Sequence, residues 1–274
     1  MTKQRLSKIA IHICALLVGI LIAVPFFWMI STSFKSKGSL INIPIEWVPK
    51  KPTIEAYLQI FSIENFTSSI LNSLYLAVVT TAVQLLSAAM AAYAFAKISF
   101  RGREKLFRVY LASMMIPFQV IFIPLFILMS GLKLTNSLNA FLLLQLFNAF
   151  AIFMLRQKMM SISDSFIDAA VIDGASEFTI FFRIIIPLSS GVIATLAIMT
   201  FMGSWNDYLF PLVMLSDRSK FTLPLILSSL NGQYGTRYNL LMAGALISIL
   251  PILVLYMFTQ RFFKSGLQVG GIKA

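Results

Sequence analysis

Six stretches of this chain run for 22 residues or more without a single Asp, Glu, Lys or Arg: 9–34, 65–96, 109–132, 134–155, 184–206 and 238–260. About 20 apolar residues suffice to cross the roughly 30 Å hydrocarbon core of a bilayer. No water is available there, so a crossing segment must satisfy its own backbone hydrogen bonds. The runs therefore predict six spanning α-helices near 9–31, 70–96, 107–130, 135–156, 185–209 and 239–262. A seventh run, 221–236, is too short and carries Pro224, Asn231, Gly232 and Gly235; it reads as loop or re-entrant structure. The fold class expected is all-α integral membrane. Only 12% of residues are charged, half the roughly 25% of a soluble domain, and this excludes a cytosolic enzyme and a disordered chain. The single cysteine, Cys14, excludes a disulfide scaffold and a multi-cysteine metal site.

The charges that remain are sorted. Fourteen of the 22 Lys and Arg fall on the side of the termini and eight on the other. Loop 97–108 alone holds five of them beside one acid, Glu104. By the positive-inside rule both termini are expected in the cytoplasm. The net charge of +12 is then topology signal and attraction to anionic lipid, not nucleic-acid binding. The first run starts basic, as a signal peptide does, but it is long and no small-x-small cleavage signal follows it. It is kept as a helix, with Trp28 and Phe34 near the outer interface. The domain reading is residues 1–66 for the first helix and an extracytoplasmic cap loop, 67–263 for the membrane bundle, and 264–274 for a cytoplasmic tail.

Three connections carry information. Loop 32–69, with Pro44, Pro49 and Pro52, reads as an ordered cap. Loop 210–238 mixes apolar and polar residues, and serves equally as a surface loop packed on the membrane or as a contact for partner or substrate. The inner loop 156–190 gathers four of the chain's ten acids: Asp164, Asp168, Asp173 and Glu177. Ser161 or Ser163 can cap a short helix there, Asp164 and Asp168 suit its positive first turn, and Gly174 permits a sharp turn. Ala169, Ala170 and Gly174 leave room for close approach by another protein. On pattern alone, docking and an amphipathic connector lying on the bilayer stand level.

The order Asp168-Ala169-Ala170, three residues, Gly174, nine residues, then Ile184-Ile185-Ile186-Pro187 resembles the EAA loop of ABC importer permeases, E-A-A-x3-G-x9-I-x-L-P. Asp168 stands for the Glu and Ile186 for the Leu. Gly174 lies 100 residues before the C-terminus, the family's spacing. Thr32–Lys35 (TSFK), Trp205–Leu212 (WNDYLFPL) and the tail Gln260–Lys273 are similar to the carbohydrate subfamily, the maltose G-subunit class above all. The resemblance covers the whole chain and implies a type I importer permease with a MetI-like core. It implies a heterodimer with a second permease subunit, two ATPase subunits inside, and an extracytoplasmic solute-binding protein that delivers a sugar, an oligosaccharide by expectation. This chain holds no G-x-x-x-x-G-K-[ST] loop, so ATP and Mg belong to the partner ATPases and no cofactor is expected here.

Under that resemblance Asp168, Ala169, Ala170, Asp173, Gly174 and Glu177 couple the permease to an ATPase, and the tail touches the ATPase dimer; from its residues alone the tail reads equally as a frayed terminus. Polar residues in spans are costly and face protein or water, which makes Asn72, Gln84, Gln119, Gln145, Asn148, Asn206 and Asp207 pathway candidates. Trp205 and Tyr208 could stack on a sugar ring. The alternative for each is a helix–helix hydrogen bond. Pro117, Pro124 and Pro251 permit kinks. The rivals are a stand-alone carrier or channel, which would leave the inner loop without purpose, and an intramembrane enzyme, which would have only His12 to work with.

Overall fold

A computed structural model describes the backbone of residues 2–36, 46–232 and 235–269, and the side chains of 7–36, 46–230 and 237–260. The chain is helical throughout: α1 (Thr2–Ser33), α2 (Glu55–Phe61), α3 (Phe66–Lys97), α4 (Arg103–Ala112), α5 (Phe118–Gly131), α6 (Leu138–Leu144), α7 (Ala149–Met160), α8 (Ser165–Ile172), α9 (Glu177–Ile180), α10 (Ile186–Leu188), α11 (Ser190–Trp205), α12 (Leu209–Met214), α13 (Leu223–Ser229) and α14 (Tyr238–Val269). Two-residue strands at Asn231–Gly232 and Gly235–Thr236 pair antiparallel. The segment read as loop or re-entrant thus holds a short helix, α13, before that pair.

Among the described residues, three stretches are long and apolar enough to cross a bilayer unbroken: Ser7–Ser33, Phe66–Lys97 and Tyr238–Gln260. The other three expected spans are each broken in two. Arg103–Met115 meets Phe118–Gly131 at 96°, Leu138–Leu144 meets Ala149–Met160 at 49°, and Glu177–Leu188 meets Ser190–Trp205 at 78°. Counting each bent pair as one crossing gives six. Six is the number expected, with three of the crossings bent rather than straight, and the breaks have local causes. Pro117 forces Ile116 into extended backbone (ψ 112°), which no helix continues through. At the second break Asn148 is itself extended and caps α7, its side-chain oxygen accepting the Ala151 amide at 3.0 Å. The Ser87 hydroxyl of α3 donates to the Leu146 carbonyl freed by that break. Pro124 and Pro251 lie inside the continuous helices α5 and α14. Helix α14, expected to end near 262, continues to Val269, through Ser265-Gly266 and with no proline after Pro251. Lys37 and Pro44 of the cap, and Gly270, Gly271 and Lys273 of the tail, lie outside the described residues.

The chain forms two compact units, residues 1–67 with 226–250, and residues 68–225 with 251–274. In the first, the cap loop folds back on the end of α1. Trp47 meets Trp28 edge-on at 5.2 Å, the Lys35 ammonium lies 4.2 Å above the Trp28 ring, and the Thr53 amide donates to the Phe34 carbonyl at 2.9 Å. Gly244 of α14 faces Leu227 and Ile60; a Cβ there would come within 2.7 Å of Ile60 Cδ1 and closer still to Leu227. Overpacking of this kind destabilises by about 2 kcal/mol. We expect Gly244→Leu to lower the thermal midpoint of the purified protein by several degrees. Gly244→Ala should cost less, since only flexible methyl ends must move.

The second unit carries two apolar clusters. One joins Ala88, Ala92 and Tyr93 of α3 to Ile152, Leu155 and Met159 of α7 and to Ile180, Phe181 and Ile185. Its alanines let helices approach closely without a hydrophobic driving force. The other centres on Phe210, packed against Phe118, Phe122 and Phe141. Beside it the Asn136 side chain accepts from the Ser216 and Asp217 amides, and Asn72 donates to the Ser219 and Phe221 carbonyls. Asp217 is held below the usual carboxylate range, chiefly by the Ser219 hydroxyl and amide.

Candidate functional site: the α8 loop and the amide-lined cavity

Helix α8 is two turns long and has a defined beginning and end. The Ser163 hydroxyl accepts the Ser165 amide at 3.3 Å and Asp168 sits in the first turn, near the positive end of the helix. The other end closes on Gly174, at φ 77°. The Ala175 amide donates back to the Ala170 carbonyl at 2.9 Å and the Gly174 amide to Val171 at 3.0 Å. This is the left-handed helix stop that glycine adopts without penalty. Ser176 then caps α9, accepting the Thr179 amide at 3.3 Å. Residues 181–185 form a π-turn, a widened turn often found at functional positions.

The expected coupling residues divide by exposure. Asp168, Ala169, Asp173 and Gly174 are exposed. Ala170 is buried in the cluster with Tyr93 and Ile162, so only one of the two alanines is open to a partner. Glu177 is exposed, yet its carboxylate accepts the Tyr93 hydroxyl at 2.6 Å. Ile172 and Phe178 stand 85% and 70% exposed beside them, apolar tips with no cover from this chain.

Two basic residues that sequence reasoning counted only as topology signals hold this loop. The Lys97 ammonium, at the end of α3, donates to the Ile162 carbonyl at 2.7 Å and pairs with Asp164 at 2.5 Å. Arg156, buried at the end of α7, donates to Glu104 at 2.6 Å and to the Phe95 carbonyl at 3.1 Å, and covers the Phe107 ring at 4.0 Å. The signal that could have found them is position: each is the first cation after a long charge-free run, where a long side chain can reach helix-end carbonyls.

The pathway candidates also divide. Gln84, Gln145, Asn148 and Asp207 come together around a cavity of about 420 Å³, with Phe118, Phe147 and Phe210 on its wall. A second cavity of about 230 Å³ shares the same three amides. Gln84 is 4% exposed and its side chain, like that of Gln145, has no hydrogen-bond partner among the described residues. Asp207 accepts the Phe210 amide at 3.2 Å. The rest lie elsewhere. Asn72 is spent on the 219–221 carbonyls, Asn206 donates to its own helix at Met202, and Gln119 is exposed on α5 outside both cavities. Trp205 is buried, stacked on Phe201 at 6.0 Å, so the sugar-stacking expectation is corrected for that residue: its ring faces are taken by packing.

Residues 84–268 match the family described as binding-protein-dependent transport system inner membrane component. The arabinooligosaccharides transport system permease protein AraQ of Halalkalibacterium halodurans is 36% identical over 252 residues, 91% of this chain and 90% of that protein. The lactose transport system permease protein LacG of Rhizobium radiobacter is 31% identical over 271 residues, 99% and 98% of the two chains. Among solved structures, a bacterial ABC transporter involved in import of the acidic polysaccharide alginate superposes with a TM-score of 0.84 at 24% identity, over 96% of this chain and 98% of that one. The broken helices described above therefore belong to a known permease fold. This chain is a multi-pass membrane protein of the binding-protein-dependent transport system inner membrane component family.

Proposed function

We propose that this chain is one of two permease subunits of an ATP-driven importer that carries a sugar, an oligosaccharide in the first instance. A solute-binding protein delivers the sugar from outside, and two ATPase subunits bind ATP and Mg on the cytoplasmic face. The related permeases named above for arabinooligosaccharides and lactose support the substrate class. The family description supports the binding protein and the inner membrane of a bacterium as its place.

The observation that carries the reading is α8: an exposed helix stopped at Gly174 and presenting Asp168 and Ala169, its flanks tied to α3 through Lys97–Asp164 and Tyr93–Glu177. A helix held this way moves with α3 as a lever when its partner moves. Asp168 offers charge-assisted acceptance to a basic or backbone donor on the ATPase, and Ala169 permits close approach. The expected cytoplasmic tail after 264 lies on the same subunit and serves as a second contact. The test is a cross-link. In a Cys14→Ser background, Ala169→Cys should form a disulfide with a cysteine placed in the ATPase cleft, at a rate that changes when ATP is bound. No cross-link from Ala169→Cys in any nucleotide state, in a complex that still hydrolyses ATP, overturns the assignment of α8.

A further inference from the structure

The cavity bounded by Gln84, Gln145, Asn148 and Asp207 is built in a way that α8 does not explain. Burying a primary amide in a membrane protein without a partner is costly, and the usual remedy is a bond to a neighbouring helix. Among the described residues Gln84 has no such bond, although it is 96% buried by residue area, and it opens onto both cavities. Gln145 likewise opens onto both without a partner. Asn148 spends its oxygen on the Ala151 amide, which leaves its NH₂ for a ligand. Each free amide presents one acceptor and two donors. A hydroxyl satisfies both kinds at once; a carboxylate or sulfonate, which only accepts, leaves the amide oxygens facing like charge.

The charge on the wall points the same way. Asp207 is the one ionisable residue among those lining the two cavities, and no Lys, Arg or His joins it. It makes no ion pair among the described residues; its carboxylate is fixed by the Phe210 amide at 3.2 Å. In a half-open recess walled by Phe118, Phe147 and Phe210, the one charge among the lining residues sets the sign of the local potential. Phe147 is exposed, and its ring suits the C–H face of a sugar ring.

We infer that this wall is a sugar subsite contributed by this chain itself, selective for neutral over anionic sugars, with Gln84 and Gln145 reading hydroxyls and Asp207 excluding negative charge. The sugar part of this inference rests on the importer reading above; the charge filter does not.

The test separates the two. In a Cys14→Ser background, Gln145→Cys is placed in the assembled importer in membranes. Its modification rate is measured with cationic trimethylammonioethyl and anionic sulfonatoethyl methanethiosulfonate, each normalised to its rate with a small thiol in solution. We expect a cation preference of about tenfold, which added salt reduces and Asp207→Asn brings towards one. Equal normalised rates, or a preference that neither salt nor Asp207→Asn changes, overturns the charge filter. Salt dependence alone decides the matter if Asp207→Asn does not assemble. Protection of Gln145→Cys by the neutral disaccharide lactose, and weaker protection by its carboxylate lactobionate, is the result expected for the subsite. Equal protection by both overturns the selectivity. A salt-sensitive cation preference in an importer that takes up no sugar overturns the parent reading and leaves the filter standing.

Discussion

Gly174→Leu is expected to insert into the membrane at wild-type level and to lose sugar-stimulated ATP hydrolysis. Gly174 stands at φ 77°, where a side chain costs about 1–2 kcal/mol and the two bonds that end α8 are compromised. Beyond the glycine's chain neighbours, no atom of the described residues lies within 4 Å of a Cβ built there, so an alanine meets no clash with them. This separates two causes. Gly174→Ala carries the backbone strain alone and should retain much of the stimulation. Gly174→Asn, which tolerates the left-handed region, should retain more. Leucine adds bulk on the exposed face where the ATPase is proposed to sit, and should fall towards the unstimulated rate. The measurement is ATPase activity of the reconstituted complex with and without sugar-loaded binding protein, beside the yield of co-purified ATPase. Normal stimulation in Gly174→Leu would remove α8 from the mechanism.

The second large effect is on stability. Arg156 makes two hydrogen bonds and a ring contact from a buried position, and it joins α7 to α3 and to the start of α4. Arg156→Ala removes all three and leaves the Phe95 carbonyl without its donor. Hydrogen bonds that involve a charged group contribute about 1.5–3 kcal/mol, with the Glu104 share discounted because that carboxylate is half exposed. We expect a loss of about 2 kcal/mol, seen as a thermal midpoint lower by about 5 °C in detergent. Arg156→Lys keeps the charge but cannot reach carboxylate and carbonyl with one planar fork, and should fall between. An unchanged midpoint in Arg156→Ala would show that the ends of α3 and α7 are held by the apolar cluster alone.

The sequence made some of this legible and not the rest, for physical reasons. Charge-free runs reveal how much chain lies in lipid, because the bilayer penalises charge whatever the local geometry. They do not reveal whether a run is straight. Pro117 announces a break, but the break at 145–148 contains no proline; it depends on Asn148 as a cap and on Ser87, some 60 residues away in sequence, receiving a freed carbonyl. Acids gathered around Gly174 announce α8, and the glycine's left-handed stop follows from local chemistry. The clamps on that loop were hidden because their partners are distant in the chain: Lys97 with Asp164, Tyr93 with Glu177, Arg156 with Glu104. The same distance explains the pathway residues. Nothing local distinguishes Gln84 from Asn72, yet one opens unpaired onto a cavity and the other is bound to two carbonyls.

The proposed function has this chain move sugar inward as ATPase subunits seated against α8 hydrolyse ATP. Proteoliposomes holding both permease subunits and the ATPases, with sugar-loaded binding protein outside and ATP sealed inside, measure this directly with a labelled oligosaccharide. Accumulation above the external concentration that requires hydrolysable ATP, and that Gly174→Leu abolishes, is the predicted result. Uptake that proceeds equally without ATP, or follows an imposed proton gradient instead, would rule out an ATP-driven importer and identify a secondary carrier.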